Sequence, residues 1–467
     1  MAFSNPVSTA SSGNTLLNGV LWGSQWSDGS PATTSLAVCI AGLGGSQQFD
    51  FGGRAVTART TGEEAAAFRQ AMAMIESVCN IDFVEVSALS NADLVFGITG
   101  PGPLDGALGE AVPPGEDVGA IANQQGAVIV NRAGYASDGY GSLQVGGYDF
   151  ITFIHEIGHA IGLKHPHDRG SGAFPKFPGV SGPFGDYGDF NLNQGINTMM
   201  SYNDGFPEGP LGRKNPLRIP DHGWNTVMAI DIAALQYLYG ANTSHNTGDD
   251  TYVLPGRNLA GNYYSCIWDA GGIDTIAAGR NVASTINLNA ASLRVAADGG
   301  GLVSSQNGVL GGYTIASGVL IENAAGAGGN DTLTGNRATN VLSGLGGSDV
   351  IAGGRGGDTL SGGGGGDTFR FNSVTDSRGR ASDVITDFTG IDVIDLSRID
   401  ADGTGLRDSF DFIETDSFGN LRGELRYEYD SKTDVTKLLG DVDGNGIADF
   451  TVRLAGNIVF AADDFIL

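Results

Sequence analysis

The chain has 467 residues, a formal net charge of −27 and 76 glycines, far more glycine than soluble proteins usually carry. The charge argues against nucleic acid as a partner, because the chain offers no basic stripe to neutralise phosphates. No apolar run approaches the roughly 18 residues that a membrane-spanning helix needs. The length allows two or three domains, and the glycine excess indicates an architecture built from repeats.

The N-terminal stretch MAFSNPVSTASSGNTLL lacks the basic segment followed by an apolar run that marks a cleavable secretory signal. Two alternatives remain, a cytoplasmic protein or export by an unconventional signal. The three cysteines, Cys39, Cys79 and Cys266, are widely spaced and form no CxxC motif. We expect them to be small buried apolar residues, although a Cys39–Cys79 disulfide is compatible with the sequence.

The first half of the chain alternates helical and extended patterns. A helix is predicted over residues 60–80, where apolar residues recur every three or four positions after a Thr-Gly-Glu start. A second helix opens near Tyr148, and a third lies within WNTVMAIDIAALQYLYG, with Gly240 as its C-cap. Short strands are predicted in IDFVEVS, ADLVFGI and GAVIVNR. The mixture predicts one α+β domain over residues 1–240.

Beyond ANTSHNTGDD the helical signal disappears, and short β-type runs alternate with Gly, Asp and Asn. Five consecutive nonapeptides fill residues 326–370, and the second, GNRATNVLS, is degenerate. Their sixth positions are Asp331, Asn340, Asp349, Asp358 and Asp367, and their eighth positions are Leu333, Leu342, Ile351, Leu360 and Phe369. The domain boundary is therefore expected near residues 240–248, with a second domain over 241–467.

A GGxGxDxUx repeat makes one turn and one short strand, with aspartates and backbone carbonyls binding Ca²⁺ between turns. The apolar eighth position packs inward. Without calcium the stacked aspartates repel one another, so folding of this domain should be coupled to the metal. A flexible glycine linker is the alternative, but five in-phase copies argue against it. The pattern predicts an all-β parallel β-roll that binds calcium.

The stretch FIHEIGHAIGLKHPHD holds four of the six histidines. His155 and His159 are one helical turn apart, so both imidazoles project from the same face, with Glu156 adjacent. Two histidines at this spacing hold zinc while the glutamate accepts a proton from water. Gly162 permits the left-handed conformation that breaks the helix and lets His165 return to the metal.

This extended zinc motif is the metzincin signature, which is accompanied by a methionine-containing turn. The chain offers NTMMSYND some 35 residues after His165. Together these features resemble the serralysins, bacterial metzincin proteases that join a zinc protease domain to a calcium-binding β-roll. The resemblance runs through HEIGHAIGLKHP, MMSY, DIAALQYLYGAN, WDAGGIDTI, GVLIENAAGAGGND, the nonapeptides and DDFIL.

The resemblance implies a role for each matching residue. His155, His159 and His165 would ligate zinc, Glu156 would be the general base, and Met200 would lie beneath the metal. Tyr202 would ligate zinc at rest and stabilise the oxyanion during catalysis. Calcium ligands are expected at Asp269, Gly271, Asp274, Glu322, Asp331, Asp349, Asp358 and Asp367. We expect His167 to be a solvent-exposed or substrate-rim residue, and His222 and His245 to be ordinary loop residues.

The resemblance also implies a secreted, zinc-dependent endopeptidase of broad specificity from a Gram-negative bacterium. The strand GAVIVNR is expected to be the sheet edge that pairs with an extended substrate. The segment Asp463–Leu467 resembles the C-terminal signal read by type I secretion systems, and roughly the first 15 residues could be a propeptide. The expected partners are protein substrates and the secretion apparatus, with a proteinaceous inhibitor left open, and the protein is expected to be a monomer.

Two questions remain open at this point. DVDGNGIAD, with Asp441, Asp443, Asn445 and Asp449, resembles the front of an EF-hand loop but has Val452 at its twelfth position. A calcium site and a simple Asp/Gly hairpin turn are equally compatible with it. The alternative function is a calcium-dependent extracellular binding protein whose protease domain is a relic, but the intact zinc motif argues against it.

Overall fold

The computed structural model describes residues 4–51, 53–100, 102–116, 126–135, 140–170, 174–203, 220–405 and 408–467. Within these ranges all α-helices precede Gly240: α1 (Thr15–Val20), α2 (Gly62–Val78), α3 (Arg132–Tyr135), α4 (Tyr148–Ala160) and α5 (Ala229–Tyr239). The three predicted helices are present. The third begins later than its apolar pattern suggests, because Met228 is its N-cap, and it ends at Gly240, whose φ is +82°.

The strands of the first half are β1 (Asn5–Ser8), β2 (Ser24–Ser27), β3 (Thr34–Ala41), β4 (Gln47–Phe51), β5 (Arg54–Ala58), β6 (Ile81–Glu85), β7 (Leu94–Thr99), β8 (Gly109–Ala111), β9 (Gly126–Asn131) and β10 (Trp224–Asn225). Five of them form one sheet in the order β6-β3-β7-β9-β8. The predicted strands are β6, β7 and β9. Helices α2 and α4 pack together, with Phe68 of α2 between Phe96 of β7 and Phe153 of α4.

The expectation that GAVIVNR forms the sheet edge is wrong. That segment is β9, and β8 pairs with it antiparallel on its outer side. The three residues of β8, Gly-Glu-Ala, are too few to show the alternation by which strands are recognised. The edge of the sheet on this side is therefore β8, and β6 forms the other edge.

The strands that follow are β11 (Thr251–Val253), β12 (Tyr263–Ile267), β13 (Thr275–Ala277), β14 (Ser284–Asn287), β15 (Ser305–Gln306), β16 (Gly312–Ile315), β17 (Asn323–Ala325), β18 (Thr332–Thr334), β19 (Val341–Ser343), β20 (Val350–Ala352), β21 (Thr359–Ser361), β22 (Thr368–Arg370), β23 (Val384–Ile385) and β24 (Val393–Asp395). Successive repeats alternate between two sheets, so that β18, β20 and β22 pair in parallel on one side and β19 and β21 on the other. The apolar eighth positions of all five repeats are fully buried between the sheets. This confirms the α+β domain followed by a β-roll.

The last part of the chain departs from a purely parallel roll. It contains β25 (Asp411–Phe412), β26 (Glu424–Asp430), β27 (Val435–Asp441), β28 (Phe450–Ala455) and β29 (Phe465–Ile466). Strands β26, β27 and β28 form an antiparallel meander, and β28 then joins the roll through parallel pairing with β23. The short connections of the meander produce hairpins, which parallel strands cannot use.

The two halves share hydrogen-bonded structure. Strand β10 pairs in parallel with β12, which pairs with β16. The segment immediately before α5 is thus joined to the first strands of the roll. The domain bounds 1–240 and 241–467 remain predictions.

The N-terminal segment from Ser4 is built into the fold, because β1 pairs antiparallel with β2. Residues 1–3 of the predicted propeptide lie outside the described residues, and a processing point stays a prediction. All three cysteines are buried and free, so the Cys39–Cys79 disulfide is absent. Among the described helices, the structure has none long and apolar enough to cross a membrane.

Candidate active site and calcium sites

Helix α4 and the turn that follows it bring the three motif histidines together. The helix ends at Ala160, and Gly162 has a φ of +106°, as its place in the motif predicts. The amide of Leu163 donates to the carbonyl of Gly158 at 2.9 Å, which closes the turn. A Cβ on Gly162 would lie 2.4 Å from the carbonyl oxygen of Ser24. Both the backbone conformation and the available space therefore require glycine.

Three imidazole nitrogens face one another across a gap of metal-ion size. Nε2 of His155 lies 3.1 Å from Nε2 of His165, and Nε2 of His159 lies 3.2 Å and 2.9 Å from the same two atoms. Tetrahedral zinc with bonds of about 2.0–2.1 Å would separate neighbouring nitrogens by about 3.3 Å. The donor set and its spacing fit zinc.

The second ring nitrogen of each histidine is fixed by an acceptor. Nδ1 of His155 lies 2.8 Å from the carbonyl oxygen of Met199, and Nδ1 of His159 lies 2.9 Å from that of Leu163. Nδ1 of His165 lies 2.6 Å from Oδ2 of Asp168. These oxygens only accept, so Nδ1 carries the proton and the Nε2 lone pair is free for a metal. Burial lowers the pKa of His155 to about 3 and moves the pKa of His159 well below its usual value, so both rings are neutral.

Glu156 is buried beside this cluster. Burial raises the pKa of its carboxyl to about 8, with a contribution from the nearby charge of Glu110. Its space is provided by Gly109 of β8, where a Cβ would lie 2.6 Å from Cγ and 2.7 Å from Oε1 of Glu156. Gly109 is a site residue that the sequence motifs do not identify.

The turn predicted from MMSY lies directly against α4. Met200 is fully buried. Gly158, between the first two histidines, has no space for a side chain, because a Cβ there would lie 2.8 Å from Cε of Met199 and 2.9 Å from Sδ of Met200. The structure thus places Met200 against α4 at Gly158, and its role beneath a bound zinc stays a prediction.

Tyr202 covers the outer side of the cluster. Its ring centroid lies 4.4 Å from that of His165 and 5.8 Å from that of His155. Burial raises the pKa of the phenol to about 12, with added effects of Glu156 and Asp168, so the hydroxyl keeps its proton. The exposed Phe184 stacks on the other part of this ring at 5.3 Å.

An open cleft of about 370 Å³ runs past these groups. It lies between the loop leading into β8, the exposed side of α4 and the segment after Met200. Its described lining is Gly106, Ala107, Leu108, Gly109, Tyr148, Ile151, Thr152, His155, Glu156, Phe184, Ser201 and Tyr202. An extended chain lying in this cleft would pass beside both the histidine cluster and Glu156.

A second set of convergent oxygens lies in the roll, where sixth-position side chains form ladders. Oδ1 of Asp349 accepts from the amide of Asp331 at 2.7 Å, and Oδ1 of Asp367 accepts from the amide of Asp349 at 2.9 Å. On the opposite edge of the roll, Oδ1 of Asp358 accepts from the backbone amide of Asn340 at 2.8 Å. Each aspartate is thereby held one full turn away from the next.

The second oxygens of these carboxylates have no partner. Oδ2 is buried and without a hydrogen bond in Asp274, Asp349, Asp358, Asp367 and Asp383. Burial, opposed by backbone hydrogen bonds and reinforced by neighbouring carboxylates, raises the pKa of Asp349 to about 6 and that of Asp358 to about 7. Unpaired buried carboxylate oxygens are costly unless a cation binds them, so these positions fit calcium.

The degenerate second repeat differs at this point. The side-chain nitrogen Nδ2 of Asn340 donates to the backbone carbonyl of Glu322 at 2.9 Å, and its Oδ1 accepts from the backbone amide of Asn336 at 2.8 Å. Both ends of the side chain are therefore satisfied within the protein. This repeat lacks the unpaired oxygen found in the third, fourth and fifth repeats. In the first repeat both oxygens of Asp331 also accept hydrogen bonds, Oδ1 from Ser284 and Oδ2 from the amide of Ala327.

Models of known protein families match both halves of the chain. A family model described as Peptidase M10 serralysin C terminal matches residues 230–467, and one described as Metallo-peptidase family M12B Reprolysin-like matches residues 54–166. The chain is 37% identical to Metallopeptidase AprA of Pseudomonas marginalis over 84% of this chain and 78% of the relative. The chain belongs to the serralysin family of zinc metalloendopeptidases.

Other serralysins match at similar levels. Identity is 34% to Serralysin of Photorhabdus laumondii over 86% of this chain and 80% of the relative. It is 39% to Serralysin A of Dickeya chrysanthemi, where the match covers 68% of this chain and 62% of the relative.

The structure of this serralysin shows metal-site candidates that motif matching missed. Asp250 lies with Asp269 and Asp274, whose ligand atoms are all within 4.8 Å of one another. Gly271 donates to Asp269 at 2.9 Å, and Glu322 accepts from the amide of Asp274 at 2.9 Å, so the four predicted residues are adjacent. The signal for Asp250 was its place in a Gly-Asp-Asp run before β11.

The ladders also continue past the nonapeptides. Oδ1 of Asp383 accepts from the amide of Asp358, and Oδ1 of Asp392 accepts from the amide of Asp367, each at 2.9 Å. Both residues immediately precede a strand, as the sixth position of a repeat does. That Asp-x-apolar pattern could have identified them, but only one of the glycines that frame a nonapeptide remains before each, Gly379 before Asp383 and Gly390 before Asp392.

Two open expectations can be compared with the structure of this serralysin. His167 does not join the three convergent nitrogens. Its side chain is only 15% exposed, with its ring parallel to that of His165 at 4.9 Å, so it is not solvent-exposed and the substrate-rim alternative stays a prediction. DVDGNGIAD forms the hairpin between β27 and β28. Although Asp441, Asp443 and Asp449 cluster, the oxygens of Asp441 accept backbone amides of that same turn. A calcium role there stays a prediction.

Proposed function

We propose that this protein is a secreted zinc-dependent endopeptidase that hydrolyses peptide bonds in protein substrates. The observation that carries the proposal is the convergence of three imidazole nitrogens beside the buried carboxyl of Glu156 in an open cleft. In this proposal His155, His159 and His165 hold zinc. Zinc bound there would polarise the scissile carbonyl and acidify the attacking water.

The residues around that position divide the remaining chemistry between them. Glu156 would accept the proton from the attacking water and deliver it to the leaving amine nitrogen. Burial raises the pKa of this carboxyl to about 8, and a cation held by the three histidines would lower it toward the ionised form that a base requires. Tyr202 donates its hydroxyl hydrogen to the oxygen of the former carbonyl as negative charge develops there, and the raised pKa of the phenol keeps that proton available. Met200 supports the cluster from below.

Strand β8 would bind the substrate backbone. The carbonyl of Leu108 accepts from Asn131, and the amide of Val112 donates to Ala127, so these residues face β9. In an antiparallel ladder the alternate residues, Gly109 and Ala111, direct their backbone groups to the other side. A substrate added as one more strand would hydrogen-bond there through its main chain, which favours broad specificity.

The cleft wall adds a preference for side-chain type. Its lining includes the large apolar or aromatic side chains of Leu108, Tyr148, Ile151 and Phe184. We infer that a substrate residue beside the cleaved bond is bound best when its side chain is apolar. Main-chain pairing would still allow many sequences to be cleaved.

The roll would bind calcium through Asp269, Gly271, Asp274, Glu322, Asp331, Asp349, Asp358 and Asp367, and its folding would be coupled to that metal. We propose export through a type I apparatus that reads Asp463–Leu467. In the folded chain Phe465 is buried, with its ring 4.9 Å from that of Phe412. The segment would therefore be readable only before the roll folds, which fits low calcium inside the cell.

The deciding experiment compares casein digestion by the zinc-loaded wild type and Glu156→Gln, with zinc content measured for both. We expect equal zinc content and a loss of activity of at least about 10³-fold, because proton transfer is lost while the imidazoles remain. A zinc-loaded wild type without activity, or a variant that digests casein as fast as wild type, would refute the proposal.

A further inference from the structure

We propose that Asp231 is a positioning residue for catalysis, whose buried carboxylate fixes the turn that orients the zinc ligand His155. The proposal rests on the zinc site described above, but it assigns a task to a residue on α5 that belongs to no motif of the active site. Asp231 is fully buried. It is linked to His155 through the backbone of Met199, whose amide it accepts from and whose carbonyl accepts from the His155 ring.

Three donors surround the carboxylate. Oδ1 accepts from the hydroxyl of Thr198 at 2.6 Å, and Oδ2 accepts from the amides of Met199 at 2.7 Å and Met228 at 3.0 Å. The hydroxyl of Thr198 in turn accepts from the amide of Met200 at 3.2 Å. One carboxylate thus holds the amides of both turn methionines, one directly and one through Thr198.

The fixed peptide then acts on the metal ligand. The carbonyl of Met199 accepts from Nδ1 of His155 at 2.8 Å, and this bond sets both the ring orientation and the tautomer. His159 and His165 have Nδ1 partners of their own on other segments, Leu163 and Asp168. Loss of Asp231 should therefore disturb one ligand of three.

A role limited to stability does not explain the choice of residue. Placing a carboxylate where no solvent reaches it costs several kcal/mol unless every oxygen is matched by a donor. The N-terminus of α5 recovers part of this cost, because Asp231 caps the helix through Met228. Capping alone needs one oxygen, and the other two hydrogen bonds both lead to the turn beneath the zinc ligands.

The test uses full-length Asp231→Ala and Asp231→Asn, with zinc affinity measured by chelator competition beside kcat, KM and the thermal midpoint. Asp231→Ala should weaken zinc binding by about 10- to 100-fold, the usual effect of losing a group that orients a ligand. At saturating zinc it should lower kcat with little change in KM. Asp231→Asn should recover most of both, since its amide can accept from the two backbone donors and donate to Thr198.

Asp93→Ala is the matched control. Asp93 is also buried and accepts from two backbone amides, those of Ser4 and Ala37, which belong to the N-terminal segment and to β3 rather than to the turn beneath the histidines. It should lower the thermal midpoint while leaving zinc affinity and kcat within about twofold of wild type, because separated sites act independently. Thr198→Val, which removes one of the three hydrogen bonds, serves if Asp231→Ala does not fold, and it should weaken zinc binding severalfold.

Wild-type zinc affinity in Asp231→Ala, or in Thr198→Val where only that variant folds, would overturn the proposal. Equal weakening in Asp93→Ala would also overturn it, by showing a general loss of stability. The measurement of zinc affinity keeps this test separate from that of the proposed function. A wild type that binds zinc without cleaving casein would refute the proposed function, yet the zinc affinities of wild type and Asp231→Ala could still be compared.

Discussion

Replacing Gly109 by alanine should damage catalysis without unfolding the protein. A Cβ at this position would lie 2.6 Å from Cγ, 2.7 Å from Oε1 and 2.8 Å from Cδ of Glu156. Carbon atoms in contact are normally separated by about 3.5–4.0 Å, so relief requires a movement of about 1 Å. The Glu156 side chain has rotatable bonds whereas β8 is paired with β9, so the carboxylate is the group that moves.

The magnitude follows from two different costs. An off-rotamer side chain costs only about 0.5–1.5 kcal/mol of stability. A reacting group misplaced by about 1 Å can cost about 10²-fold in rate, which corresponds to about 2.7 kcal/mol of activation free energy. We therefore expect kcat to fall about 100-fold, while zinc content and the thermal midpoint change little.

The assay is steady-state cleavage of a quenched fluorescent peptide by zinc-loaded Gly109→Ala. The matched control is Gly62→Ala at the start of α2, where a Cβ would meet no atom within 4 Å. Wild-type kcat in Gly109→Ala would refute the inference that Glu156 occupies the space above this glycine. A rise in KM alone would assign Gly109 to substrate binding instead.

Three further outcomes concern the roll. Asp349→Asn should lower the calcium affinity measured by titration calorimetry, because it removes an unpaired buried carboxylate oxygen. Asn340→Ala should change this affinity little, and equal effects of the two substitutions would count against the ladder as a calcium site. Phe369→Ala should lower the free energy of unfolding by about 3–5 kcal/mol in denaturant titrations, since a fully buried ring is lost, and a change below about 1 kcal/mol would contradict its place in the core. In excess chelator, circular dichroism should show the roll losing β-structure as pH rises from 5 to 8.5, because burial raises the pKa of Asp358 to about 7 and that of Asp383 to about 8. The sign follows because groups whose pKa is raised by folding stabilise the fold below their unfolded value, and this stability is lost as the pH passes through the raised pKa; a roll that instead gains structure toward pH 8.5 would contradict it.

The local parts of the site could be predicted from sequence because each depends on a short run of residues. His155 and His159 share a helical face, and Gly162 turns the chain so that His165 reaches them. The repeats could be recognised equally well from the sequence, because a nine-residue period fixes which residues point inward. In both cases the information lies within a few residues of the chemistry.

What could not be predicted depends on contacts between distant segments. Gly109 matters because β8 folds back beside α4, and a three-residue strand gives no pattern to recognise. Asp231 lies 32 residues from the Met199 amide that it holds. Asp383 and Asp392 extend the ladders across intervals of 25 residues rather than 18, which hides them from a search for a fixed period.

The hydrogen bonds of the ladders all point the same way along the chain. The amide of Asp331 depends on Asp349, that of Asp349 on Asp367, and that of Asp367 on Asp392. In these side-chain bonds the amide of an earlier turn is always held by the aspartate of a later one. This ladder of aspartates therefore has a direction along the chain, and its last acceptor is Asp392. Removing repeats from the front would leave the later bonds of this ladder formed, whereas losing Asp392 would leave the amide of Asp367 without its side-chain acceptor.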